Sequence, residues 1–282
     1  MDYSDCPRMD MFLSGSERKI AVQIDGQKWI LKFQYRDELK VRFNHVSEYL
    51  GSRIFSSLGF DVQTTELGTY RGEQVVACRN FIPDGCAFVP FNDVGESTLE
   101  RDKELFQYSY EDIMAMLDAN TKLTDVKETI STFWNIFIVD AFIGNFDRHG
   151  SNWGFLKCNG RYRLAPVFDN GSCLYPQMTD EDMMAKIIDS RELTEDRVYR
   201  FPTSQIKMDG RKSSYYDVIS GMRYAECNEA LARVFPRIDL DEIHGIVDSI
   251  DSITDVHKRF YRHMIDSRYH LILEEAYGRL AD

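Results

Sequence analysis

The sequence lacks the features that mark membrane-spanning, secreted or nucleic-acid-binding proteins. No run approaches the roughly 18 apolar residues of a membrane span, and the acidic start MDYSDCPRMD is unlike a signal peptide. Nucleic-acid binding needs an excess of basic groups, whereas 34 Lys and Arg against 46 Asp and Glu give a formal net charge of −12. We therefore predict a cytoplasmic protein with no membrane or direct nucleic-acid partner, and export to a host by a non-classical route stays open.

Cysteine and histidine are few and scattered, which argues against a structural metal site. The six cysteines form no C-x-x-C pair, and the six histidines form no H-x-H cluster. In a chain of 282 residues, isolated cysteines are typical of reduced cytosolic thiols. Because 43% of the residues are hydrophobic, the chain can bury a core without cross-links. We therefore expect free thiols.

Turn and strand signals predict a small, sheet-rich lobe at the N-terminus. Asp25-Gly26 and Arg71-Gly72 each lie between strand-like segments, as in hairpins. Asn44 is placed to cap a helix that ends before Gly59. These patterns predict an α+β protein in three parts: an N-lobe of antiparallel sheet with one helix over 1–82, a connector over 83–103, and a larger helical C-lobe over 104–282.

Helical periodicity dominates the second half of the chain. Helices are predicted over 110–118, 126–143, about 215–235, 239–251 and 254–279. A short hairpin is predicted around Asn159-Gly160, and the polar segment 177–197 is interpreted as a mobile loop or an exposed helix. Three basic residues are more typical of a solvated loop than of a site for an acidic substrate segment: Lys207, Arg211 and Lys212.

The densest group of polar residues, 144–152, lies between the predicted helix 126–143 and the short hairpin. Asn152 follows Asp147 by five positions, and Asp169 comes just after the hairpin. Phosphoryl transfer needs a carboxylate near the acceptor hydroxyl and oxygen ligands for magnesium. The order D-x-x-x-x-N and then a later Asp is typical of protein kinases. The alternative to a catalytic role is that these residues only form turns, because Asp, Asn and Gly also favour turns.

The N-terminal lobe offers residues that would complete a nucleotide site. Lys32 lies in a predicted strand between apolar neighbours, and Glu48 lies on the following helix, where it can pair with that lysine. The small residues Ser14, Gly15 and Ser16 precede the first strand and would let backbone amides approach phosphates. Each residue also has an ordinary interpretation: Lys32 as an edge-strand charge, Glu48 as an exposed helix residue, and 14–16 as a flexible tail.

The segments 144–152 and 162–169, with sequences GNFDRHGSN and YRLAPVFD, resemble the HipA-like serine/threonine kinases. The resemblance extends to 14–19, Lys32, 47–50 and 76–81, and the chain is similar in organisation to the short, stand-alone CtkA type of this family. It implies a bilobal protein-kinase-like fold that binds ATP and Mg²⁺ between the lobes.

The resemblance also implies a role for each candidate residue. In the C-lobe, Asp147 would be the catalytic base, His149 would lie near the phosphates or orient the loop, and Asn152 and Asp169 would hold Mg²⁺. In the N-lobe, Lys32 would contact the ATP phosphates and pair with Glu48. Further nucleotide contacts are implied for Ser14, Gly15, Ser16, Arg79 and Phe81, the last two within a hinge over 78–81.

The functional prediction is an ATP- and Mg²⁺-dependent kinase that phosphorylates a Ser or Thr of a protein substrate and also itself. In this family a serine three residues before the loop glycine is autophosphorylated, but Phe12 holds that place here, so Ser14 and Ser16 are the nearby candidates. An antitoxin-like regulatory protein is a second kind of partner. The alternatives are a pseudokinase or toxin–antitoxin binding component, and a metal-dependent phosphoesterase.

Overall fold

The computed structural model describes residues 1–10, 17–38, 40–94, 109–119 and 125–280. They form a sheet-rich N-lobe and a larger, mostly helical C-lobe. The N-lobe sheet is antiparallel with the strand order β1-β2-β3-β5-β4. Its strands are β1 (Arg8–Met9), β2 (Lys19–Ile24), β3 (Gln27–Phe33), β4 (Thr65–Tyr70) and β5 (Glu73–Arg79).

Both predicted N-terminal hairpins are present. Asp25 and Gly26 join β2 to β3 with φ of 47° and 76°, and Arg71 and Gly72 join β4 to β5 with φ of 52° and 79°. Positive φ at both central residues matches the twist of the flanking strands.

The N-lobe helix α1 (Asn44–Ser57) ends before Gly59, which has a φ of 80°. The predicted cap is wrong by one residue, because the N-cap is Phe43 and has no side-chain cap hydrogen bond. The Asn44 side chain instead accepts the amide of Tyr35 at 2.8 Å and donates to the Phe33 carbonyl at 3.2 Å. Asn44 therefore attaches the start of α1 to the end of β3.

The two faces of the N-lobe sheet have different environments. On one face Trp29, Leu31 and Phe33 of β3 pack into an apolar cluster with Tyr3. Because side chains alternate along a strand, Lys32 points to the other face, toward α1. The sheet thus presents a lysine to the cleft between the lobes.

The C-lobe begins inside the predicted connector. Residues Cys86–Pro90 form a strand, β6, which pairs with β7 (Gly154–Cys158), and β7 pairs with β8 (Arg161–Leu164). The expectation of free thiols is wrong for one pair, because the β6–β7 register places Cys86 opposite Cys158 with Cα atoms 4.6 Å apart and the two form a disulfide. The sequence does not reveal this pair because 72 residues separate its members.

The lobes are also joined away from the chain connection. Asp61 and Gln63 of the N-lobe make two backbone hydrogen bonds to Val167, both 2.8 Å long, in a short parallel bridge. The chain itself crosses between the lobes over residues 80–85.

Helices form most of the C-lobe and surround one apolar helix, α3 (Val126–Ile143). The bounds of α3 are those predicted from the sequence. The helices are α2 (Tyr110–Ala119), α3 (Val126–Ile143), α4 (Glu181–Asp189), α5 (Arg191–Tyr199), α6 (Tyr215–Ser220), α7 (Ala225–Val234), α8 (Leu240–Asp248), α9 (Asp255–Arg268) and α10 (Glu275–Gly278), with a π-helical turn over Tyr269–Glu274. No helix in the described ranges is both long and apolar enough to span a bilayer.

The polar segment 177–197, predicted to be a mobile loop or an exposed helix, contains α4 and most of α5. Buried Met184, Ile187 and Val198 anchor these helices to the core, so the mobile-loop alternative is wrong. The basic group predicted to be a loop lies instead in a hairpin of β9 (Thr203–Met208) and β10 (Arg211–Ser214). Every second residue of β9 is buried, namely Ser204, Ile206 and Met208. The alternation of Ile206 and Met208 with polar residues is the sequence signal that could have identified this strand.

Candidate active site

Lys32, Glu48 and Asp169 come from three separate elements and meet in the cleft. The Lys32 Nζ lies 2.7 Å from Glu48 Oε2 and 2.8 Å from Asp169 Oδ1. The Glu48 carboxylate is 1% exposed. The interlobe cleft therefore brings together the strand lysine, the helix glutamate and the late aspartate that the sequence singles out.

The charges of this group stabilise one another. Burial alone would lower the pKa of the Lys32 ammonium, but the carboxylates of Asp169 and Glu48 outweigh it and raise that pKa well above its ordinary value. Burial acts in the opposite sense on Asp169, whose pKa Lys32 nevertheless holds below its ordinary value. The ammonium and the Asp169 carboxylate are thus both charged at neutral pH.

The residue after Asp169 connects the same group to α1. The amide of Asn170 donates to Glu48 Oε1 at 3.0 Å, and its side chain donates to Ser52 Oγ at 3.1 Å. Gly51 permits this contact, since a Cβ there would lie 2.5 Å from the Asn170 Cβ. Asn170 was not among the predicted site residues, although it stands in the same D-N-G segment.

The loop after α3 holds Asp147 by hydrogen bonds to its backbone. Gly144 ends the helix in the left-handed region, with a φ of 62°. The Asp147 amide donates to Asn145 Oδ1 at 3.1 Å, and Asn152 Nδ2 donates to the Asp147 carbonyl at 2.8 Å. Because the amide nitrogen of Asn152 is used in this way, its Oδ1 is the atom available to a metal.

The Asp147 carboxylate lies among several charges. Burial raises its pKa, as does Asp169, whereas His149, Arg148 and Lys212 lower it, and the net result is a raised pKa. His149 itself lies in the same loop, where its Nδ1 accepts the amide of Ser151 at 3.2 Å. The predicted base and the predicted loop histidine are therefore neighbours.

Arg148 links the catalytic loop to the segment that carries Asp169. Its guanidinium makes a bidentate pair with Asp140 of α3, at 2.9 and 3.0 Å, and donates to the carbonyl oxygens of Asn152 and Phe168. It also donates to Asn170 Oδ1 at 2.6 Å. Charge-assisted bidentate bonds are strong and directional.

Three phenylalanine rings lie together beside Asp169. The Phe168 ring is 5.2 Å from Phe81 and 5.1 Å from Phe88, and Phe81 and Phe88 are 6.0 Å apart. All three are half-buried, so they offer an apolar surface at the interlobe segment. Phe88 and Phe168 were not predicted, because their approach depends on the pairing of β6 with β7.

Of the remaining predicted residues the structure describes Arg79, which does not join this group. Arg79 has an exposed side chain on the sheet face opposite to Lys32, and its amide and carbonyl bond to Thr64 and Gln63. The predicted phosphate-binding residues lie outside the described ranges: Ser14, Gly15 and Ser16. Phe12 lies outside them as well.

Comparisons with known proteins identify the family of the chain. Residues 11–238 match the HipA-like C-terminal domain family. The chain is 34% identical over 275 residues to the serine/threonine-protein kinase CtkA of Helicobacter pylori strain J99, which covers 95% of this chain and 84% of that protein.

Solved structures show the same relationship. The crystal structure of a proinflammatory kinase CtkA from Helicobacter pylori matches with a TM-score of 0.93 and 33% identity, over 100% of this chain and 98% of that one. HipA of Shewanella oneidensis, solved with HipB and operator DNA, matches with a TM-score of 0.60 and 14% identity, over 96% of this chain and 67% of that one. The second likeness shows the fold alone. The chain therefore belongs to the HipA-like family and is a serine/threonine-protein kinase with a bilobal α+β fold.

Proposed function

We propose that the chain transfers the γ-phosphoryl group of ATP, with Mg²⁺, to a Ser or Thr hydroxyl of a protein substrate and to itself. The observation that supports this most is the contact of Lys32 with both Glu48 and Asp169. In kinases the strand lysine must pair with the helix glutamate, and the late aspartate must face the metal, before transfer occurs. Here the strand lysine pairs with the helix glutamate and the late aspartate lies beside them, which supports the proposal.

Each residue then has a defined task. Asp147 accepts the proton of the attacking hydroxyl, and its raised pKa favours that transfer. Lys32 binds the phosphates, and Glu48 keeps its ammonium in place. The half-buried rings of Phe81, Phe88 and Phe168 provide an apolar surface on which adenine can stack. His149 is proposed to lie at the phosphates or to orient the loop.

The donor atoms fit a magnesium ion. Asn152 Oδ1 and the second oxygen of Asp169 are hard oxygen ligands, and magnesium is bound by one or two such groups together with substrate phosphates and water. When bound, the ion neutralises charge on the phosphates during transfer. Asn152 and Asp169 would therefore be enough protein ligands for magnesium, with the phosphates and water completing its coordination.

The alternatives receive less support. A two-metal phosphoesterase needs several clustered ligands, and no three His, Cys, Asp or Glu side chains are grouped for a metal within the described ranges. A pseudokinase is disfavoured because Lys32, Asp147, Asn152 and Asp169 are all present. An antitoxin-like regulatory partner and a cytoplasmic location remain proposals from the sequence.

The test is incubation of the purified protein with γ-labelled ATP, Mg²⁺ and a Ser/Thr peptide library. Loss of the general base in Asp147→Asn is expected to lower transfer by about 10²- to 10⁴-fold. Asp182→Asn, at an exposed position of α4, is the matched control and keeps wild-type activity. Wild-type activity in Asp147→Asn contradicts the assignment of the base, and nucleotide binding without transfer to any acceptor indicates a pseudokinase.

A further inference from the structure

The outward face of β9 adjoins the proposed catalytic base. Side chains alternate along the strand, so Gln205 and Lys207 are on the face that points away from the buried side of Ile206. The Gln205 side chain donates to the carbonyl of Phe146 at 2.7 Å, and Phe146 directly precedes Asp147. This outward face is therefore continuous with the loop that holds the base.

The hairpin partner adds positive charge to that face. The antiparallel register places Lys212 of β10 directly opposite Lys207, and Lys212 is exposed. Like charges opposed across two strands disfavour the pairing, and they occur here in a chain with a net charge of −12. Residues directly opposite each other in a strand pair lie on the same face, so Lys212 is on the face that carries Gln205, whose side chain bonds to Phe146 next to Asp147. A cationic side chain thus lies beside the place where an acceptor hydroxyl would enter.

An apolar group lies on the same side of the base. The ring of Phe201 is 5.6 Å from the ring of Phe146. At 46% exposure, Phe201 is one of two large hydrophobic side chains that are exposed within the described ranges, the other being the terminal Met1. Exposed aromatic side chains next to polar groups are typical of protein-binding surfaces.

We propose that Lys212 and the rings of Phe146 and Phe201 bind the acceptor polypeptide, so that the kinase selects a Ser or Thr with an acidic residue on one flank and an apolar residue on the other. The inference rests on the proposed function, since it assigns the acceptor side of the same site. The positive charge attracts a carboxylate of the acceptor, and the paired rings cover its apolar side chain.

The experiment is a charge exchange between enzyme and peptide. Wild-type protein and Lys212→Glu are assayed with matched Ser peptides whose flanks carry Glu, Gln or Lys. Because an exposed ion pair contributes little and its reversal adds repulsion, we expect kcat/KM of the acidic peptide to fall about 3- to 10-fold in Lys212→Glu. The Lys-flanked peptide is expected to gain by a similar factor. Phe201→Ser should raise KM for peptides with an apolar flank more than for those without one.

The matched control is Lys127→Glu, an exposed lysine at the far end of α3, which should leave peptide preference unchanged. Equal use of the three peptides by the wild type overturns the proposal, although the enzyme would still be a kinase. A Lys212→Glu effect on KM for ATP, and none on KM for peptides, overturns it too, because Lys212 would then bind nucleotide phosphates. Absence of transfer to any peptide or to the protein itself is instead a failure of the proposed function.

Discussion

Replacing Arg148 by methionine tests whether one buried guanidinium holds the catalytic loop and the Asp169 segment together. Asp140 is 1% exposed, so the variant leaves its carboxylate buried without a cationic partner. Removing one member of a buried ion pair costs about 3–5 kcal/mol. The carbonyl of Phe168 and the side-chain oxygen of Asn170 lose a donor as well. We expect Arg148→Met to lower the free energy of unfolding by at least that amount and to abolish measurable phosphoryl transfer.

A second variant separates stability from positioning. In the double variant Asp140→Asn/Arg148→Met the buried charge is removed. In the wild type Asn145 Nδ2 donates to Asp140 Oδ1 at 2.9 Å, and the new asparagine can still accept that hydrogen bond. We expect the double variant to recover roughly 1–3 kcal/mol relative to Arg148→Met but to remain inactive, because Phe168 and Asn170 still lack the guanidinium.

The free energy of unfolding is measured by urea unfolding, followed by the fluorescence of the three tryptophans. Phosphoryl transfer is measured as initial rates with saturating ATP. A double variant no more stable than Arg148→Met would show that the unpaired Asp140 charge is not the cause of the loss. Wild-type rates in Arg148→Met would show that the guanidinium does not position the two segments.

Three further predictions concern packing, pH and the disulfide. Gly51→Ala places a Cβ 2.5 Å from that of Asn170, so we expect a loss of about 1–3 kcal/mol in urea unfolding together with lower kcat. Burial lowers the pKa of His257 to about 4, so the unfolded chain binds this proton from pH 6.5 downward while the folded chain does not. Stability should therefore fall as pH falls from 6.5 to 4, by up to about 1.4 kcal/mol per pH unit for this residue, and His257→Gln should show a smaller slope. Replacing Cys86 and Cys158 by serine should cost about 2–4 kcal/mol relative to the oxidised wild type, and reducing agent should destabilise the wild type but not the double variant.

The sequence predicts best those parts of the site whose signals are local. The hairpins at Asp25-Gly26 and Arg71-Gly72 follow from two-residue turns, and the helix 126–143 follows from its apolar run between polar segments. The structure brings Lys32 and Glu48 together at 2.7 Å. The pair could be predicted because in protein kinases a strand lysine forms an ion pair with a glutamate of the helix that follows it in the chain.

Features that depend on long-range pairing were not predicted. β6 lies in a segment rich in Pro and Gly, and only its pairing with β7 makes it a strand, which also creates the disulfide. The β9–β10 hairpin is short and polar on one face, so its basic residues were interpreted as a loop. Arg148 has partners 4 to 22 positions away, and no spacing rule identifies such a set in advance.

More than two contacts join the lobes, and they determine which part of the N-lobe can move. The chain crosses at residues 80–85, the backbone bridge links 61–63 to Val167, and the Asn170 amide and side chain bond to Glu48 and Ser52 of α1. The segment that carries Asp169 therefore also fixes α1 to the C-lobe. An opening of the cleft that moves the sheet while α1 stays in place would have to separate Lys32 from Glu48 and Asp169. Opening of the cleft and loss of the lysine's ion pairs would then be a single event.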